Sequence, residues 1–343
     1  MVDSFRQSVA QWLSVTLRAD VYVSLAGRDN ATIDPGILAE IEAMPQVSSI
    51  SKGVRVSVET ADGPVEVLVM DMAPEGYLGF QFLQGDSDVA WRAFEKSDGV
   101  LISEPFAWHQ KTTVGEQLHL LTDRRTQAFT VHGVIRDYGS EKGVVIMSHD
   151  TYQKYWHSRG FSNLSLYIAP QVEVTSVIEA IRFSARELQS LRVRSNREIR
   201  EVSMAVFDRT FTITIVLRIL AIAVAFVGVF SALLILQLER VREVAVLRAL
   251  GMTRTQVLGV TSAQTGLMGL LTGLLAIPLG FAMALMLIGV INRRSFGWSI
   301  DFYADPFIVA QTIGLALIAG FVASIYPAYK MMTTPPALAL AED

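Results

Sequence analysis

The chain contains no cysteine, which excludes disulfides and thiolate metal sites while leaving the compartment open. It lacks a GxxxxGK[ST] phosphate loop, so no nucleotide site of that type is expected in it. Its histidines, His109, His119, His132, His149 and His157, form no HExxH pair, and no GxSxG elbow occurs. With no cysteine nucleophile either, the sequence reads as a non-enzyme that binds no cofactor and no metal directly. His149 beside Asp150 is the nearest thing to a polar pair, yet adjacent residues at a strand end or helix start point in different directions. The formal net charge is −4 and no basic stripe interleaves with aromatics, so nucleic acid is not an expected partner. Asn30-Ala-Thr32 and Asn163-Leu-Ser165 match a glycosylation sequon too short to carry weight.

What the chain has in quantity is apolar residues: 51% are hydrophobic and 18% charged, a balance that leans towards a membrane protein. The average hides a division. Over 1–208 the charges are evenly scattered, whereas over 209–343 they collect in short clusters between long apolar runs. A hydrocarbon core about 30 Å thick takes roughly 20 apolar residues of helix. The runs 211–238, 257–291 and 307–329 meet that length, so three spans are expected. Arg218, the one charge inside the first run, lies about 30 Å from Leu238 in helix and is read as snorkelling to the far interface. The second run would extend about 52 Å, and is expected to protrude or to break at Pro278. Along it Ser262, Gly266, Gly269, Gly273 and Gly280 are small, and Gly269 and Gly273 have the GxxxG spacing that lets helices approach closely. Ordinary glycine enrichment of membrane helices explains the same pattern.

Arg240, Arg242, Arg248 and Arg254 lie between the first two runs, against Arg293 and Arg294 beside Asp301 and Asp305 in the next loop. The positive-inside rule puts the four-arginine loop in the cytoplasm and 1–208 outside, in a multi-pass plasma (inner) membrane protein. Within that loop, 238–251 reads as a short amphipathic helix. Leu238, Val241, Ala245 and Ala249 recur at helical spacing, Gly251 suits a left-handed C-cap, and Thr253 with Gln256 forms a capping box for the next helix. On spacing alone such a helix docks on another protein or rests on lipid headgroups.

The outer part alternates helix and strand signals. An amphipathic helix carries Phe5, Val9, Trp12, Leu13 and Leu17; a strand is expected at 19–25, a helix at 35–44, and a hairpin of 54–58 with 65–69 around Asp62-Gly63. Further strands are expected at 99–103, 117–121, 129–135 and 143–147, and a helix at 175–191. The fold class is therefore an α+β extracytoplasmic domain over 1–208 followed by an all-α membrane domain of three helices over 209–343.

The string Arg-Glu-Val-Ala-Val-Leu-Arg-Ala-Leu-Gly over 242–251, followed by Gln256, resembles the coupling helix of the FtsX-like ABC transporter permeases. Tyr326-Pro327-Ala328 and Pro335-Pro336-Ala337-Leu338 resemble the ending of that family's last span. Ile102-Ser103-Glu104, Val131-His-Gly-Val134, Asp137-Tyr138 and Gly143-Val-Val-Ile-Met147 look like its MacB-like periplasmic core domain. The resemblance implies that the connector 239–251 docks on a separate ABC ATPase through Arg242, Glu243, Leu247, Arg248, Ala249, Leu250 and Gly251. It implies further that the partner hydrolyses ATP, that the motion moves a lipid, lipoprotein, peptide or hydrophobic compound, and that another permease module or a second copy completes the complex. An alternative is a cell-division type regulator of an envelope hydrolase that transports nothing; a third is a membrane anchor resting on lipid. Modules of that family begin with a membrane helix, and nothing before Phe211 is apolar for long enough to be one. The expectation is that the chain is the C-terminal module of a larger permease.

Overall fold

A computed structural model describes residues 2–27, 31–60, 63–96, 98–157, 159–239, 243, 246–247, 250–303 and 306–333. Contacts divide the chain into two compact units, one of Val2–Phe207 with Ile288–Asp301 and one of Asp208–Leu287 with Phe302–Asp343.

In the outer unit, helix α1 (Val2–Thr16) leads to strand β1 (Val21–Leu25) and helix α2 (Pro35–Glu42). Next come β2 (Val47–Thr60), β3 (Gly63–Asp71), a 3-10 helix (Pro74–Gly79) and β4 (Phe82–Gln84). Helix α3 (Ser87–Lys96), β5 (Gly99–Ser103), α4 (Glu104–Gln110), β6 (Gln117–Leu121) and β7 (Thr126–Ile135) follow. The unit ends with β8 (Val145–Ser148), α5 (His149–Tyr155), β9 (Asn163–Ile168), α6 (Val174–Ala185), β10 (Leu191–Ser195) and the start of α7 (Asn196–Glu239).

The valine alternation of the expected hairpin sets its register. Val54 faces Val69, Val56 faces Val67 and Val58 faces Val65, β-branched cross-strand pairs that put one stripe of methyl groups on one face. Thr60 Oγ1 donates to Gly63 O at 2.7 Å, and Gly63 has φ +113, a backbone conformation open to glycine; Asp62 lies outside the described residues. The strands form one mixed sheet of ten in the order β10-β1-β9-β2-β3-β8-β5-β7-β4, with β6 on β7. β3 runs parallel to β8 and β5 parallel to β7. The valine stripe joins Val100, Ile102, Phe129, Val131 and Met147 under Phe106, Tyr152 and Trp156. Leu101, Ile135, Val144 and Ile146 pack with Ala90 and Phe94 of α3. A third cluster sets Ile37, Ile41, Val177 and Ile181 against Val21, Val23, Leu164 and Leu166.

Several elements differ from expectation. The helix expected over 175–191 stops at Ala185, and Leu191–Ser195 is instead the edge strand paired with β1. β9, which holds the Asn163 sequon, runs between β1 and β2 with ladder bonds on both sides, while Asn30 is outside the described residues. β4 is too short to be read from periodicity, whereas α3 sets Ala90 and Phe94 at helical spacing and is a helix that the expected elements omit. At the C-terminus of α4, Lys111 sits in the left-handed region at φ 53. A non-glycine residue there costs on the order of 1 kcal/mol, so Lys111→Gly is expected to raise stability by about that much, read as a higher thermal midpoint.

In the second unit, α7 continues to Glu239, α8 spans Arg254–Met286 and α9 spans Pro306–Thr333. Two described helical stretches, 196–233 and 255–296, are long and apolar enough to cross a membrane; the third, Pro306–Val322, is a shorter apolar helix. α8 does not break at Pro278 but runs on to Met286, where a π-helical turn, Leu287–Asn292, takes over. One lost hydrogen bond is tolerable where the remaining ladder and neighbouring helix hold the backbone.

Candidate functional site

The connector expected to couple the chain to a motor lies between α7 and α8. Arg240, Arg242, Arg248 and Ala249 fall outside the described residues; Glu243, Leu247, Leu250 and Gly251 do not. Glu243, Val246 and Leu247 are helical, and the turn closes with Met252 N donating to Leu247 O at 3.2 Å across Gly251 at φ +103. That six-to-one bond over a left-handed glycine is the Schellman ending. The capping box is also present: Gln256 N donates to Thr253 Oγ1 at 3.4 Å and Thr253 N to Gln256 Oε1 at 2.9 Å. Just before these two stops Leu247 is 39% and Leu250 79% exposed.

Close packing of α8 on α9 is set by glycine. A Cβ on Gly269 would lie 2.8 Å from Ala316 O, one on Gly320 3.0 Å from Thr265 O, and one on Gly273 3.2 Å from Ala316 Cβ. Gly266 and Gly280 have nothing within 4 Å, so of the small residues on this helix only part is packing surface. Thr261 and Thr265 are buried and donate to Val257 O and Thr261 O of their own helix at 2.7 and 2.6 Å. Arg218 donates to Gln311 Oε1 at 2.9 Å, at a groove of about 400 Å³ lined by Ala221, Phe226, Ala276 and Leu315 among others. The snorkelling expected of Arg218 thus comes with a side-chain partner on α9.

The outer unit holds a second constellation, of which Glu104 and Tyr138 lie in the phrases that resemble the core domain. Its origin is the sheet. β5 and β7 are parallel with Ser103 opposite Ile135, so the residues after them, Glu104 at the start of α4 and Arg136 to Tyr138, leave the sheet at the same end. Onto that end folds 288–301. The π-helical turn and the helical turn Arg293–Phe296 stop at Gly297, φ +77, whose missing Cβ would meet Pro105 Cα at 2.9 Å. Buried Asn292 donates from Nδ2 to Trp298 O at 3.0 Å and holds the turn closed.

The extended residues after Gly297 are then bonded one by one. Ser299 N and Oγ both donate to Glu104 Oε2, at 3.0 and 3.1 Å, and Tyr138 Oη donates to Ser299 O at 2.7 Å. Arg136 meets Asp301 in a two-pronged pair, Nη1 to Oδ2 at 2.6 Å and Nη2 to Oδ1 at 3.2 Å. Asp301 N donates to Ser8 Oγ of α1 at 3.3 Å. Burial, against the nearby Arg136 charge, pushes the Tyr138 hydroxyl up to about 12, so it remains a donor at neutral pH. Burial works against the Arg136 guanidinium, but the Asp301 hydrogen bond and the surrounding negative groups outweigh it and raise its pKa.

Rings complete the contact. Phe5 of α1 lies 6.1 Å from Trp298, 6.1 Å from Tyr138 and 5.2 Å from Phe207 of α7, and Arg293 sits 4.7 Å over Trp108. Asn196 Nδ2 donates to Leu17 O and Ala19 O at 2.8 Å each, and Arg200 donates to Ser14 O at 3.3 Å, so the open carbonyls of α1 are taken up by the first turns of α7. His149, weighed as part of a polar pair, instead lies against Phe161 at 4.7 Å with Gln153 Nε2 2.6 Å from its Nε2.

The described residues thus combine an α+β domain with two helical stretches long and apolar enough to cross a membrane. The FtsX-like permease C-terminal family matches residues 215–336 and the MacB-like periplasmic core domain matches residues 1–183. The chain belongs to the ABC transporter permeases that carry these two parts, a family of membrane subunits that are not themselves enzymes, with the core domain outside the plasma (inner) membrane. It is 34% identical over 338 residues to an uncharacterized ABC transporter permease protein of Mycobacterium tuberculosis, covering 96% of this chain and 40% of that one. It is 23% identical over 279 residues to the lipoprotein-releasing system transmembrane protein LolC of Xylella fastidiosa, covering 76% of this chain and 64% of that one. The chain therefore spans less than two thirds of the length of these relatives. The periplasmic region of MacB from Actinobacillus actinomycetemcomitans aligns with TM-score 0.38 and 11% identity over 55% of this chain and 93% of that one.

Proposed function

We propose that this chain is a permease subunit, or the C-terminal part of one, which couples a separate ABC ATPase to export or extraction of a lipid, lipoprotein, peptide or hydrophobic compound by mechanotransmission. In this reading the membrane part has three spans and the connector 239–251 sits on the ATPase. Arg242, Glu243, Leu247, Arg248, Ala249, Leu250 and Gly251 make or shape the contact. The observation that supports it most is the exposure of Leu247 and Leu250 on a helical turn stopped on one side by Gly251 and followed at once by a capping box. Two exposed leucines on a helical turn whose end is fixed by Gly251 present apolar side chains at a set position, which suits a groove in a partner. ATP closes the partner, the connector moves with it, and α7 and α8 carry the displacement outwards. The lipoprotein-releasing role named for the Xylella relative makes acylated cargo the first class to try.

The test is copurification of an ABC ATPase with the detergent-solubilised chain. Leu247→Asp puts an unpaired carboxylate into the contact, at about 2 kcal/mol or more, roughly thirtyfold in affinity. Recovery of an ATPase with wild type and its loss with the variant is the expected result. Equal recovery from both removes the connector as the docking element.

A further inference from the structure

We propose that the clasp of residues 297–301 on Glu104, Arg136 and Tyr138 is the point at which motion of the α8–α9 pair is handed to the outer domain. The inference rests on the coupling reading above and names where in this chain the coupling is delivered.

The segment from Ile288 to Asp301 connects α8 to α9, yet it packs with the outer domain. A connection that only had to join two helices needs neither buried side chains nor a fixed register. This one has both. Trp298, Ile300, Ile288 and Asn292 are buried, and the segment's polar groups are met by side chains from three separate elements: Glu104 from α4, Arg136 and Tyr138 from the end of β7, and Ser8 from α1. A two-pronged guanidinium–carboxylate pair fixes direction as well as distance, and the Glu104 carboxylate takes two donors from the same serine. Such a contact resists both sliding and tilting, which a patch of apolar contact alone does not.

Phe5 extends the argument to α1 and α7. It touches Trp298 of the docked segment, Tyr138 of the sheet and Phe207 of α7. The clasp and both flanking helices thus meet around one ring. A displacement of 288–301 reaches the sheet at the common end of β5 and β7 and turns the sheet as a block.

The absence of native cysteine makes the test direct. In the complete complex with its ATPase, single cysteines are placed at Glu179, exposed on α6, and Thr255, exposed at the start of α8. They carry a donor and acceptor dye, and energy transfer is followed as ATP is added. Wild type is expected to show a nucleotide-dependent change. Asp301→Arg, which sets two cations against each other, is expected to abolish it while the ATPase still binds and hydrolyses ATP. Arg136→Asp with Asp301→Arg restores the pair with its polarity reversed and is expected to recover the change. Tyr138→Phe, which removes one hydroxyl, is expected to reduce it. An Asp301→Arg complex that keeps the full change overturns the clasp, as does a double variant that fails to recover while remaining folded and ATPase-bound. A wild-type complex that binds its ATPase and shows no change at all removes the mechanotransmission reading, and the clasp with it.

Discussion

Gly143→Val is expected to unfold the outer domain. Two stretches remote in sequence, 102–104 and 143–147, meet at this residue: Val144 N donates to Ser103 Oγ at 2.8 Å and Ser103 N to Val144 O at 3.0 Å. Between them the backbone of α4 comes so close that a Cβ on Gly143 would stand 2.2 Å from Phe106 N and 2.6 Å from Ser103 Oγ. Gly143 also has φ +79, and its N–H donates to Ser140 Oγ at 3.1 Å. A β-branched residue there carries left-handed strain of roughly 1–3 kcal/mol and overpacking of about the same size or more. Because the nearest atom is backbone, no side chain can rotate away. Set against a total stability of about 5–15 kcal/mol, a loss of roughly 3–5 kcal/mol populates the unfolded state of a domain near the low end of that range and lowers the thermal midpoint of a more stable one. The measurement is limited proteolysis and thermal unfolding of the solubilised full chain. Gly115→Ala is the control, since Gly115 shares a positive φ of +91 but has nothing within 4 Å. A Gly143→Val chain as stable as that control would mean α4 does not pack as described.

The second large effect is expected in the membrane unit, where Gly269→Leu should separate α8 from α9. Its Cβ position is blocked by Ala316 O at 2.8 Å, a backbone atom that moves only if the whole helix moves. In lipid the two helices have no hydrophobic drive to return, since tails solvate leucine as well as a neighbour does, and association rests on close packing. The pair Gly273→Cys and Ala316→Cys reports the contact, because the Cβ positions are 3.2 Å apart, near the range a disulfide needs, about 3.5–4.5 Å. Oxidation is expected to cross-link that pair and to fail once Gly269→Leu is added. Gly280→Leu, which meets open space, should leave the cross-link intact. Equal cross-linking in all three backgrounds would show that the helices do not depend on this approach.

Much of this was readable from residue order. The 54–58 and 65–69 alternation is period two over a long enough stretch that only one register hides all six valines. Gly251 and the Thr253–Gln256 pair are local chemistry, satisfied within a few residues, so the C-terminal end of the connector followed from sequence. The apolar runs announced helices because length and composition suffice for that. β9 and β10 were missed for the opposite reason. Their alternation is brief, and what makes them strands is pairing with β1, which lies far away in the chain.

The glycines of α8 mark the limit of local reading most clearly. Gly269, Gly273, Gly266 and Gly280 look alike in sequence, and only the position of α9 separates those in contact from those facing open space. The clasp was legible only in fragments: Glu104 and Tyr138 fall in phrases that resemble the core domain, but nothing in the residue order joins them to residues 299–301. Glu104, Arg136, Ser299 and Asp301 form no spaced motif, and the chain distance from Glu104 to Ser299 is 195 residues. By itself the sequence determined the class of the molecule: a mixed outer domain, apolar helices and an arginine-rich connector. Those properties depend on composition, period and short-range capping. Which side chains grip one another at the outer end of the helices was decided only by tertiary structure. The parallel pairing of β5 with β7 sets Glu104 beside Arg136, and the glycine stop at Gly297 aims residues 298–301 at both.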